Sequence, residues 1–159
     1  MNNAFHQEMK AWAEENPRLW WAFEQLDDTD ELRDRALAGI VKENMPETVI
    51  DDLVRFADGL ENRERAETAG TVSAPPGVGL RRPFNIVVTR MTKVNWNRDK
   101  TFRVDFVTEH GWSGFFDTKN PRLVERVSKS QNKALTIVGE VERHLYDFLV
   151  VLGGRVRAL

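Results

Sequence analysis

Apolar residues fall at helical spacing in the first seventy positions and at strand spacing after that. Phe5, Met9 and Trp12 stand at i, i+4 and i+7, one helical face. Asn16-Pro17 interrupts this pattern and restarts it, because Asn caps a helix and Pro is tolerated at its first position. Arg18 to Leu26 then predicts a second short helix carrying Trp20, Trp21, Phe23 and Leu26. Asp28 with Glu31 three residues later has the form of a capping box. It opens a third helix to about Glu43, with Leu32, Ala36, Ile40 and Val41 inward. After Asn44-Met45-Pro46-Glu47, the residues Val49, Leu53, Phe56 and Leu60 recur at spacings of four, three and four. Helices of this length pack as a small bundle or a pair of hairpins. Such a unit is near the lower size limit for independent stability, so part of its apolar surface is expected to rest on the second half or on a partner.

The second half predicts strands and one helix. Phe84 to Met91 is rich in β-branched residues, and Asn95 to Lys100 is a polar loop. Thr101 to Thr108 alternates, with Phe102, Val104 and Phe106 on one face and Thr101, Arg103 and Asp105 on the other. His110-Gly111 turns the chain into a short aromatic strand, Trp112 to Thr118. Asn120-Pro121 opens a helix bearing Leu123, Val124 and Val127 that fades near Gln131. Ala134 to Arg143 alternates again, Leu145-Tyr146-Asp147 turns, and Phe148 to Val156 is a last strand loosened by Gly153-Gly154.

The order is strand, strand, strand, helix, strand, strand, and the fourth strand, Leu135 to Glu142, carries a central glycine, Gly139, of the kind that lets a barrel strand bend. In both respects residues 82–157 resemble the oligonucleotide/oligosaccharide-binding (OB) fold superfamily. The first strand departs from that pattern, having no mid-strand glycine for its own bend. With the helices of the first half, the expected fold is α+β: a small N-terminal helical bundle followed by the five-stranded OB-like β-barrel that the resemblance implies, with one helix between strands 3 and 4. An SH3-like barrel or a small α+β sheet has similar elements. In the first half, Glu15 to Trp21 and Met45 to Ile50 are similar to helical leaders of small phage-encoded nucleic-acid proteins.

Charge divides the chain at the same place as the hydrophobic pattern. The formal net charge is only −2, which by itself argues against a polyanion partner. Residues 1–70, however, hold 8 Lys/Arg against 17 Asp/Glu, a net of −9. Residues 71–159 hold 15 against 8, a net of +7. Between the two lies ETAGTVSAPPGVGLRR, rich in Gly, Pro and small residues and without period. The expected organisation is an acidic helical domain over 1–67, a Pro/Gly linker over 68–81 and a basic OB-like domain over 82–159.

The candidate chemistry follows from that basic half. Single-strand binding needs cations that follow the phosphates and flat rings on which bases stack. Arg90, Lys93, Trp96, Arg98, Lys100 and Arg103 span the first two strands and their loop, and Phe115 lies on the third strand. OB barrels bind on the face of strands two and three, flanked by the first and last loops, so the resemblance places these residues at a nucleic-acid interface. Trp96 and Phe115 would stack bases and the cations would meet phosphates. Trp112 and Phe116 point the other way from Phe115 in an alternating strand. Arg122, Arg126, Lys129 and Lys133 lie along the last helix and just after it. That row is expected as a solvated face that raises the local potential, and Arg155 and Arg157 extend the basic count. In the acidic half, adjacent Trp20 and Trp21 cannot both face one core, which makes them candidates for a partner-binding surface.

Signatures of catalysis are absent from the pattern. His6, His110 and His144 are far apart and none sits at metal-ligand spacing. Gly111-Trp112-Ser113-Gly114 lacks the pattern of a nucleophile elbow. Gly77-Val78-Gly79 does not follow a strand, as a phosphate-binding loop would. No cysteine is present, which removes disulfides and thiolate metal sites. The expectation is a non-enzymatic protein without cofactor or metal. It would bind single-stranded DNA or RNA as an accessory factor in phage or bacterial DNA metabolism. The alternative is a protein-interaction adaptor or inhibitor, of phage anti-host or anti-defence type, acting through a protein partner held by residues 1–67. An acidic half could compete with nucleic acid for the basic half, or imitate DNA toward another protein. A homo-oligomer closed by exposed aromatics is a third reading. No run reaches the ~18 apolar residues of a membrane span, and MNNAFHQEMK lacks a signal-peptide pattern, so a cytoplasmic location without membrane contact is expected.

Overall fold

The structure is a computed structural model that describes residues 3–94 and 100–159. The described chain is α+β: four helices, then a closed five-stranded barrel with a fifth helix between its third and fourth strands. It divides into two compact units, Met1–Leu60 and Glu61–Leu159.

The first unit holds α1 (Asn3–Glu15), α2 (Pro17–Glu24), α3 (Glu31–Val41) and the first part of α4 (Glu47–Ala69). Pro17 stands in the first turn of α2, with Asn16 at the N-cap. Asp30, not Asp28, caps α3, its carboxylate accepting from the Leu32 amide at 2.8 Å. Asp27 instead closes its own turn on the Thr29 amide and hydroxyl, both at 2.9 Å, and Asp28 is left to pair with Arg33. The Thr29 amide bond, then the hydroxyl bond, holds the Asp27 carboxyl below its usual range. Leu32, Ala36 and Ile40 are buried as their spacing requires, but Val41, expected inward, is 46% exposed at the last residue of its helix. Phe23, Leu26 and Leu53 are also buried. Asp52 joins α3 to α4 by accepting from Arg35 at 3.0 Å and from Arg55 at 2.8 Å.

The second unit begins inside α4. The helical pattern ran to Leu60, and the helix continues to Ala69 because its last turns have a seat of their own. The buried Asn62 amide donates to the carbonyls of Thr108 (3.0 Å) and Trp112 (3.3 Å). Ala66 lies so close to Gly111 that a Cβ on that glycine would stand 2.8 Å from the alanine methyl. Gly111 also has φ +89, so the turn needs glycine twice over. Residues 71–80, expected within a linker, form no helix or strand but are tied to the barrel. The Ser73 amide donates to His110 O at 2.9 Å, the Gly79 amide to Val141 O at 3.0 Å, and His144 Nε2 meets Pro76 O at 2.8 Å.

The barrel strands are β1 (Arg81–Val94), β2 (Thr101–Val107), β3 (Ser113–Thr118), β4 (Ala134–Tyr146) and β5 (Leu149–Ala158), with α5 (Pro121–Lys129) between β3 and β4. Their order round the barrel is β1-β2-β3-β5-β4, all antiparallel except the β3–β5 seam. Phe84, Ile86, Val88, Val104, Phe106, Phe116, Ile137, Val141 and Val150 fill the interior, and α5 adds Leu123 and Val127. The bends occur where glycine or a bulge allows. On β4 the register with β5 shifts between Val138 and Glu140, at Gly139. On β1, which has no glycine, the register with β2 shifts between Val88 and Arg90. There the Thr89 hydroxyl donates to Asp105 O at 3.2 Å, and the Asn132 amide donates to Val88 O at 3.1 Å.

Candidate nucleic-acid interface

The shift at Thr89 decides which expected site residues share a face. Directly paired residues on neighbouring strands point the same way. Arg90 stands opposite Asp105, and Asp105 opposite Phe115. Thr92 stands opposite Arg103, and Arg103 opposite Asp117. Arg90, Arg103 and Phe115 therefore lie on the outer face of β1-β2-β3. Lys93 is in register with Phe102, on the face shared with Met91 and Val104, so it does not join them. Its side chain is exposed near the end of β1, and Lys100 is exposed just before β2. Trp96 and Arg98 lie outside the described residues.

On that outer face each arginine stands against a carboxylate. Arg90 Nε lies 3.4 Å from Asp105, whose side chain is 4% exposed. Arg103 grips Asp117 with two bonds, Nε at 2.8 Å and the second guanidinium nitrogen at 3.1 Å. The Arg103 guanidinium also lies 4.5 Å over the Phe115 ring, and Phe115 is buried. The face combines cations and an aromatic ring as expected, but acidic neighbours offset the cations and an arginine covers the ring. Because the Arg103–Asp117 pair is partly exposed, Asp117→Asn is expected to change barrel stability by no more than about 1 kcal/mol, read from hydrogen exchange at Phe102–Val104 and Phe116–Thr118. A larger loss would mean that the pair organises the β2–β3 edge.

A second basic surface lies along α5. Asn120 caps this helix, accepting from the amides of Arg122 at 3.0 Å and Leu123 at 3.5 Å. Leu123 and Val127 turn into the barrel, which leaves Arg122, Arg126 and Lys129 on an adjoining exposed stripe. A groove of about 340 Å³ runs between that stripe and the end of β5, where Arg157 and Ala158 close it. Among the described residues, Arg122, Arg126 and Arg157 form no ion pair. Glu125, the carboxylate at this groove, accepts from Lys129 at 2.9 Å. That hydrogen bond, and then the charge of the ammonium, keeps the Glu125 carboxyl below its usual range. Asn120 also borders a neighbouring groove of about 530 Å³ beside Thr118, Gly153, Gly154 and Arg155. The sequence pattern treated this row as a solvated face. The signal that marks it is the joint placement of Arg122 and Arg126 one turn apart and Arg157 near the end of the strand that α5 packs upon.

In the first unit, Trp20 stacks on Phe23 at 5.1 Å and meets Trp12 edge-on at 6.2 Å. Trp20 and Trp21 are both half-buried. Among the described residues no group of three His, Asp or Glu side chains is placed to hold a metal ion, and no helix is long and apolar enough to cross a membrane. Comparison of the chain with protein-family models, with curated proteins and with solved structures gives no match.

Proposed function

We propose that this chain binds single-stranded nucleic acid through its barrel, without catalysis, as an accessory factor in phage or bacterial DNA metabolism. The observation that carries the reading is a closed barrel with the strand and helix order of the OB resemblance, together with the net charge of +7 over residues 71–159. The barrel half has exposed cations at the β1–β2 connection, Lys93 and Lys100, and a second set along α5. Trp96 and Arg98, between Lys93 and Lys100 in the chain, complete the stacking and phosphate chemistry that this reading needs.

The test is a titration of a labelled short single-stranded oligonucleotide with the full chain, followed by anisotropy at two salt concentrations. Binding is expected at low salt. Each phosphate neutralised adds about −0.7 to the slope of log K against log salt, so affinity falls steeply between roughly 50 and 200 mM. Absence of binding at low salt for both DNA and RNA overturns the proposal.

A further inference from the structure

We infer that the groove between α5 and the end of β5 takes the sugar-phosphate backbone of the bound strand, with Arg122, Arg126 and Arg157 as its phosphate contacts. This rests on the nucleic-acid reading above and assigns it a path. The expected interface on β1-β2-β3 places both of its described arginines against carboxylates, Arg90 on Asp105 and Arg103 on Asp117. A phosphate arriving there competes with an anion already in place. At the α5 groove, by contrast, three exposed guanidiniums have no ion-pair partner among the described residues. Glu125 is turned to Lys129 rather than to any of the three.

Geometry favours an extended polyanion over a single compact one. Arg122 and Arg126 are one turn apart on α5, about 6 Å along its axis. That is close to the spacing of successive phosphates in an extended strand, and Arg157 of β5 lines the same groove. The half-buried Ala158 lines the same groove beside Arg157. Arginine suits this task because its planar fork holds a phosphate with two bonds. The occupant is thus a flexible phosphodiester chain, read without regard to base.

The experiment uses the full chain and the same labelled oligonucleotide. The variant Arg122→Ala/Arg126→Ala/Arg157→Ala is compared with Lys93→Ala/Lys100→Ala and with Arg122→Lys/Arg126→Lys/Arg157→Lys. All of these side chains are exposed, and circular dichroism checks that each variant folds. The triple-alanine variant is expected to bind at least about tenfold more weakly at moderate salt, with the salt slope reduced by about 2. The triple-lysine variant keeps most of that slope. If the wild-type chain binds and the triple-alanine variant matches it in affinity and slope, the groove assignment is overturned while the nucleic-acid reading stands. If the wild-type chain does not bind, both fall.

Discussion

Gly114→Val is expected to open the barrel, and Gly114→Ala to weaken it by about 2–3 kcal/mol. Gly114 lies in β3 opposite Phe106 of β2 and Val150 of β5. Its φ is not in the left-handed region, so the glycine is required for space and not for conformation. A Cβ built there would stand 2.5 Å from the Val150 carbonyl oxygen, 2.8 Å from the Phe106 ring and 2.9 Å from a Val150 methyl. The ring could tilt, but the carbonyl belongs to the parallel seam that closes the barrel. That seam has three register pairs, Ser113 with Leu149, Gly114 with Val150 and Phe115 with Val151. Displacing one of three pairs far enough to relieve that contact disturbs the whole closure. The reduced freedom of the unfolded alanine chain returns at most about 1 kcal/mol. Because the molecule has two units, a single global unfolding energy is a poor measure. Hydrogen exchange resolved to Ser113–Phe115 and Leu149–Val151 is the appropriate one. Native-like protection of both segments in Gly114→Ala would show that the seam yields more easily than this packing implies.

Element order was legible from the chain because it depends on local periods. The three-and-four spacing of Val49, Leu53 and Phe56 needs no knowledge of a partner, nor does the alternation of Phe102, Val104 and Phe106. Relations between strands were not legible. The sequence shows Arg90 and Arg103 as two cations near a loop. Only the register, with its shift at Thr89, sets Asp105 beside one and Asp117 beside the other. The same shift sends Lys93 to the opposite face. A bulge inverts the alternation beyond it, but Met91-Thr92-Lys93-Val94 does not alternate cleanly enough to show the inversion. The reach of α4 beyond Leu60 was hidden for a different reason. Its packing residues there are Asn62 and Ala66, one polar and one small, and neither adds to an apolar stripe. Likewise the α5 groove depends on Arg157, which is far from Arg122 in sequence and near it in the fold.

Trp112→Ala is expected to cost the barrel about 3–5 kcal/mol. The indole is 5% exposed and meets Phe84 edge-on at 5.7 Å and Phe106 at 6.1 Å, so it plugs the interior where β1 and β2 converge on the start of β3. Truncation leaves a cavity against two rings that strand registry holds in place, so little collapse is available. Trp112→Phe, which retains an edge-to-face partner, should lose less than half as much. The residue also has a backbone role, which depends on the ring. Its carbonyl accepts from the Thr108 hydroxyl at 2.7 Å, the Thr108 amide at 3.1 Å and the Asn62 amide at 3.3 Å. Those bonds tie the Thr108–Trp112 turn to the last part of α4, and the ring holds the carbonyl where they can form. Asn62→Ala alone should therefore cost about 0.5–1.5 kcal/mol for each bond lost, because Trp112 O keeps the Thr108 hydroxyl and amide and Thr108 O keeps the Gly111 amide. Combined with Trp112→Ala it should cost less than the sum, by about 0.5–3 kcal/mol, because a turn released from its ring no longer holds Asn62 in register. The cycle is measured by hydrogen exchange at Phe84–Val88 and Phe106–Val107. Strict additivity would separate the ring from the turn and assign the anchoring of α4 to the backbone alone.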